Sequence, residues 1–310
     1  MTNQLPFRSS LSAGRLRLTG LAAVLAGLAG LAGCSPQTLL IRGVADQLAG
    51  QGAAAEDDLA LAREASAFYL KLSESVLTQT PGHLALAEAV AGGFTRYAFA
   101  FVAFEAERTA PNDAKAAQRL RERAARLYLR AHRHAMAALE QHSPGLTRSL
   151  ARLPVAPVAE TLRLPADSVG VAYWAAASWG AYIALSKDRP DVVADLPQAT
   201  RLAGLAWAVE PDHGQGALAS LMGTLEAARP GGNTAQAQRY FERATALGAG
   251  RQAGAYVAQA EALALPAGDR GRFEALLRQA LAISTTHRDL ANEVMRERAQ
   301  WLLASADDLF

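Results

Sequence analysis

Residues 124–131 (AARLYLRA) and 237–244 (AQRYFERA) share one spacing: an alanine, an aromatic residue four positions on, and a second alanine three after that. On an α-helix these three positions fall on one face. The alanines let a neighbouring helix approach closely, and the ring between them fills the remaining gap. Two looser copies follow the same spacing, Ala199–Ala203–Ala206 and Phe273–Leu277–Ala280. The triplets begin at 124, 199, 237 and 273, so they recur after 75, 38 and 36 residues.

Alanine-rich helices produce such triplets by chance, but a near-constant period argues for a structural repeat. The spacing is that of the second helix of a tetratricopeptide repeat, and Pro211 falls where that repeat's terminal proline belongs. The fold expected is all-α: a degenerate tetratricopeptide-like helical-repeat solenoid, each helix pair burying its apolar face on the next. The first interval is close to two repeats, and a proline-rich connector would occupy the missing turn.

Composition agrees. The 310 residues are 51% apolar and 19% charged, enough for one large or two ordinary cores. Alanine and leucine dominate, β-branched residues are sparse and aromatics make up 6%, which favours helix over sheet. No segment alternates apolar and polar residues as a half-buried strand would.

The N-terminus reads as a separate signal. Arg8, Arg15 and Arg17 precede an uncharged run of 16 residues, 18–33, shorter than the roughly 20 that span a bilayer. It ends Leu31-Ala32-Gly33-Cys34, which resembles a bacterial lipobox, and Cys34 is the only cysteine in the chain. Residues 1–33 are therefore expected to be a lipoprotein signal peptide, 34–56 a lipid anchor and tether, and 57–310 the helical-repeat domain. Ser35 and Pro36 follow the cysteine, with no Asp, and by analogy with lipoprotein sorting this points to the outer membrane, facing the periplasm. Losing the leader's three arginines from 31 basic residues leaves 28 against 29 acidic ones, a mature charge of −1. Nucleic-acid binding, which needs a concentrated basic surface, has no support.

Within the mature chain, acidic residues at Glu56-Asp57-Asp58 open a helix that carries Leu61, Ala65, Phe68, Tyr69, Leu72 and Val76 at helical spacing. Pro81-Gly82 ends it, residues 84–107 form a second helix, and Pro111-Asn112-Asp113 caps a third running to about Gln141. Prolines 144, 154, 157 and 165 mark a connector over 143–168. Helical pattern resumes at Val169.

Several ordered phrases resemble one family: residues 58–65 (DLALAREA), 94–102 (FTRYAFAFV), 172–180 (AYWAAASWG), 209–214 (VEPDHG) and the tail from Met295 to Phe310. Together they resemble TatT, the T component associated with TRAP transporters, from about residue 34 to the C-terminus. The resemblance implies a lipoprotein of cryptic tetratricopeptide-like helix pairs that associates with a periplasmic solute-binding protein. It also implies a homotrimer with an apolar channel or cleft through each subunit.

Residues able to carry chemistry are few. The histidines, at 83, 132, 134, 142, 213 and 287, never recur four apart on one helical face, so no metal site is expected. There is no nucleophile elbow, phosphate loop or dinucleotide fingerprint, and Glu105 and Glu107, two apart, face different ways on a helix. Neither a cofactor nor a catalytic residue is expected, and the chain reads as a non-enzyme.

Two side-chain groups stand out. Arg119, Arg123, Arg126, Arg130 and Arg133 form a basic stripe, read either as the solvated face of an amphipathic helix or as a docking strip for an acidic partner. Aromatics cluster at Phe94, Tyr97, Phe99, Phe101 and Phe104, and again at Tyr173, Trp174, Trp179 and Tyr182. Core packing accounts for most of them. One core face cannot absorb all, and Tyr97, Phe101, Tyr173, Trp174 and Trp179 are candidates to border a ligand cleft. Together with the resemblance, which alone supplies the partner, these features imply a non-enzymatic function: a lipoprotein that binds a TRAP-type solute-binding protein and assists uptake of a small organic ligand, apolar in part. The alternative is a lipid-anchored helical-repeat scaffold for envelope protein assembly.

Overall fold

The structure, a computed structural model, describes Met1 and residues 36–50, 57–152 and 162–310. The signal-peptide reading and Cys34 lie outside the described residues, as do Pro154 and Pro157. Two compact units divide the chain, Met1–Val44 and Ala45–Phe310. Of the first, residues 36–44 are helical, within the helix Pro36–Gly50 (α1). The account below concerns the second.

Among the described residues, four helix hairpins follow one another. A lead helix, Leu59–Gln79 (α2), precedes them. The first hairpin joins α3, Leu84–Ala98 continued through Phe99–Ala103 to Phe104–Thr109, to the long α4, Ala114–His142. After a short α5, Leu146–Ala151, the second pairs α6 (Val169–Ala184) with α8 (Leu196–Val209), the one-turn α7 (Pro190–Val193) lying between. The third pairs α9 (Ala217–Ala228) with α10 (Thr234–Leu247). In the fourth, α11, Gly254–Gln259 continued through Ala260–Ala264, pairs with α12 (Arg270–Thr286). The chain ends in α13, Leu290–Ala304, and α14, Ala306–Leu309. Among the described residues there is no strand, and no helix is long and apolar enough to cross a membrane.

Local chemistry explains the boundaries. Asp58, Asp113, Asn233, Asp269 and Asp289 each accept a backbone N–H in the first turn of the helix they precede. Such caps contribute ~1 kcal/mol apiece. His83 does the same for α3 through Nδ1, 3.2 Å from the Leu86 N–H, while its Nε2 lies 3.0 Å from Asp46.

The four triplets sit on α4, α8, α10 and α12, and all twelve of their residues are buried. Phe241 shows why the spacing matters. Its ring is fully buried, and a methyl group added at Gly223 of the partner helix would stand 2.9 Å from it. Glycine on one helix makes room for the ring on the other, and burying that ring contributes ~1.5–3 kcal/mol.

The 75-residue interval holds no intervening hairpin among the described residues. Helix α6 packs directly on both α3 and α4. The interval is long because α4 runs for 29 residues and the connector follows it.

The solenoid closes on itself. Helix α13 packs on α2 as well as on α12, and three charge contacts join the C-terminal segment to the N-terminal helices. Arg288 reaches Asp57 at 3.3 Å, Glu297 reaches Arg108 at 3.8 Å, and Arg298 reaches Glu107 at 3.1 Å.

Candidate functional site

A cleft of about 530 Å³ opens where the two ends of the domain meet. Helix α3 contributes Tyr97, Ala100, Phe101 and Phe104; α2 contributes Leu59, Ala60 and Ala67; α13 contributes Val294. Tyr97 and Phe101 meet edge to face with ring centroids 5.4 Å apart. Charged side chains, Arg63, Glu64, Glu105, Arg108 and Glu297, complete the lining. Arg108 is held 2.6 Å from Glu105, with its guanidinium 5.0 Å from the Phe104 ring centre. The cleft thus joins an aromatic wall to charges of both signs, a lining suited to a small amphiphilic molecule.

The wall lies on an irregular stretch of helix. At Phe99–Ala103 the backbone makes a π turn, in which the Phe104 N–H bonds the Phe99 carbonyl five residues back. Such turns recur at functional sites. Tyr97, Phe101 and Phe104 all reach the cleft, whereas the Phe99 ring faces the guanidinium of Arg298 at 5.2 Å. A second π turn, Ala260–Ala264, places Glu261 2.6 Å from the same guanidinium. Burial by itself would lower the Arg298 pKa, but Glu261 and Glu107 more than reverse it. Burial pushes the Glu107 carboxyl up, against the pull of Arg298. The two irregular turns are therefore locked together behind the cleft by one charge.

Of the sequence candidates, Tyr97 and Phe101 line this cleft; Tyr173, Trp174 and Trp179 do not. Those three lie on α6, where the ring of Tyr173 stands 4.7 Å from that of Trp174. Trp179 packs 4.4 Å from His132 of α4. Burial lowers the His132 pKa, and one of its ring nitrogens lies 3.0 Å from the Ala175 carbonyl oxygen. Trp179 thus serves an inter-helix contact. Of the two aromatic clusters only the first reaches the cleft.

The arginine stripe divides as well. Arg119, Arg123, Arg126 and Arg133 are exposed and make no ion pair with any described residue. Arg130 instead makes a two-pronged contact with Glu74 of α2 and stacks 5.0 Å over Phe94. Glu74 also accepts from Lys71 and lies 2.7 Å from His134. Arg130 is therefore a structural residue, and four arginines remain on the open face.

Sequence reasoning passes over Arg63, Arg108, Glu297 and Val294. Their local pattern is that of ordinary amphipathic helices, and only the return of α13 to α2 brings them together.

A family profile described as "TRAP transporter T-component" (TAtT) matches residues 55–310. A protein of Treponema pallidum (strain Nichols), described as an uncharacterized protein, is 31% identical over 265 residues, which is 82% of this chain and 81% of that one. The match spans the helix hairpins, both π turns and the cleft that the closing helix completes, and on that extent the chain belongs to the TRAP transporter T-component family.

Proposed function

We propose that this protein is the lipid-anchored partner of a periplasmic TRAP-type solute-binding protein, and that it assists uptake of a small, partly apolar organic ligand. The observation that carries the reading is the cleft: an aromatic wall held open between the two ends of a closed helical domain, in a chain of this transporter family. Its volume of about 530 Å³ falls within the usual range for small-molecule sites. Acylation at Cys34 would hold the domain at the periplasmic face of the outer membrane, where a diffusing binding protein meets it. Four arginines on α4, unpaired among the described residues, offer an acidic partner a surface for encounter.

Helix α2 supports self-association into the expected homotrimer. Leu61, Ala65, Phe68 and Leu72 recur at heptad-like spacing and are all exposed, Phe68 by 75%. The test of the reading is co-purification of the full-length protein with a TRAP-type solute-binding protein from the same organism, at low salt. A complex that sediments together at tens of micromolar supports it. Absence of a complex favours the envelope-scaffold alternative.

A further inference from the structure

Residues 45–50, the downstream part of α1, are fixed to the domain. Ala45 and Leu48 stand three apart, on one face of the helix. Both are buried in the cluster that holds Leu70 and Leu77 of α2 and Leu86 of α3, while Asp46 and Gln47 between them are exposed. Two polar contacts fasten the same segment. The Tyr69 hydroxyl of α2 donates to the Leu48 carbonyl. The Asp46 carboxylate lies 3.0 Å from Nε2 of His83, whose Nδ1 accepts the Leu86 N–H. Because Nδ1 is an acceptor, the proton of the neutral ring sits on Nε2 and is donated to Asp46. The contact therefore does not need a charged histidine.

These contacts have a direction. Asp46 meets His83 in the turn between α2 and α3, and Leu48, further along the chain, meets Tyr69 within α2. The segment thus comes in at the α2–α3 turn and runs toward the start of α2. The cleft lies at the other end of the same two helices. It is lined by Leu59, Arg63 and Glu64 from the start of α2 and by Phe101, Phe104 and Arg108 from the end of α3. Helix α2 has 21 residues, so about 30 Å of helix separates its two ends.

We infer that residues 45–50 form a docked strap, which sets the α2–α3 turn toward the bilayer that carries the anchor and leaves the cleft facing away from it, open to a diffusing partner. Undocked, residues 34–56 would be a tether of 23 residues that could present any face of the domain to the membrane. With the strap docked, only residues 34–44 remain as a spacer, and at a helical rise these 11 residues span about 16 Å, roughly half the length of α2. The turn end is held close to the anchor point and the cleft end is not. The orientation rests on the lipid-anchor reading; the docking of the strap does not.

Amide exchange on the full-length protein in detergent tests the docking. Residues 45–50 should exchange at least tenfold more slowly than an unstructured chain, and Ala45→Arg should remove that protection with the helicity of the domain unchanged. Should Ala45→Arg misfold, Asp46→Ala combined with Tyr69→Phe removes both polar contacts and should lower protection in the same segment. Exchange of wild-type 45–50 at the unstructured rate, or protection that survives in the folded variants, overturns the strap.

Vesicles test the orientation. Gln79, at the turn end of α2, and Asn112, just beyond the cleft end of α3, are both exposed. With Cys34 acylated, Gln79→Cys or Asn112→Cys takes a fluorophore at one position only. On vesicles of phosphatidylethanolamine and phosphatidylglycerol with an acceptor on the head groups, energy transfer from position 79 should be at least twofold more efficient than from 112. Adding Ala45→Arg, or the double variant, should abolish the difference. Equal transfer from the two positions, or stronger transfer from 112, overturns the orientation. Mass spectrometry of the same samples separates the readings. Absence of acyl chains on Cys34 defeats the lipid-anchor reading and the orientation with it, and the exchange result then decides the strap alone.

Discussion

Arg298 and Glu107, 191 positions apart, meet at 3.1 Å and join the last long helix to the first hairpin. Arg298 is only 6% exposed, and Glu261 holds its other side. Removing one member of a buried ion pair leaves the rest desolvated and unpaired, at ~3–5 kcal/mol. Arg298→Met should therefore lower stability toward urea by about that amount and loosen α13 from α2. Amide exchange in 290–304 should rise first. A variant as stable as wild type would show that the closure does not depend on this charge.

Acid should act through Glu74. Burial favours its neutral form, yet hydrogen bonds from Arg130, Lys71 and His134 prevail and hold its pKa at about 2, below the ordinary 4.5. A carboxyl depressed in the folded state stabilises above its unfolded pKa, and that contribution is lost as pH falls from about 4.5 to 2. The full contribution is ~3 kcal/mol at neutral pH. Glu74→Gln should cost stability at pH 7, and its gap from wild type should narrow on acidification between pH 4.5 and 2. A gap that stays constant across that range would show that acid sensitivity arises at other groups.

Much of the fold is legible in the sequence. The twelve triplet residues are buried because alanine beside a ring is a packing pattern, and packing patterns repeat with the helix period. The caps are legible too, Asp58 and Asp113 among them, as is the common face of Tyr97, Phe101 and Phe104. The π turns are not. Residues 99–103 (FAFVA) hold no glycine or proline, and nothing local marks the extra residue. Nor is the closure, since Arg298 finds Glu107 only after four hairpins have curved the chain.

The exposed stripe on α2 makes a prediction about assembly. Phe68→Glu removes the largest apolar side chain from an exposed surface, so the folded subunit should lose less than ~0.5 kcal/mol. If the stripe joins copies, sedimentation velocity should show the variant shifted from trimer to monomer with unchanged helicity. A trimer that persists in Phe68→Glu would place the copy-to-copy contact on another face.

The arginines of α4 bear on how the partner is met. Arg119, Arg123 and Arg126 are exposed and unpaired among the described residues, so replacing them with alanine should leave stability within ~0.5 kcal/mol of wild type. Exposed charges act on encounter, and they are screened beyond ~8 Å at physiological ionic strength. The triple variant should therefore associate with an acidic solute-binding protein about threefold more slowly at low salt, with little change in dissociation rate, and the difference should vanish as salt rises. Arg130→Ala is the informative contrast. It strips Glu74 of its two-pronged partner and uncovers Phe94, so it should lower stability first and affect association only through misfolding. Stopped-flow association against ionic strength separates the two. Equal rates for wild type and the triple variant at every salt concentration would return the stripe to a solvated helix face, and a stable, slowly associating Arg130→Ala would restore that residue to the docking surface.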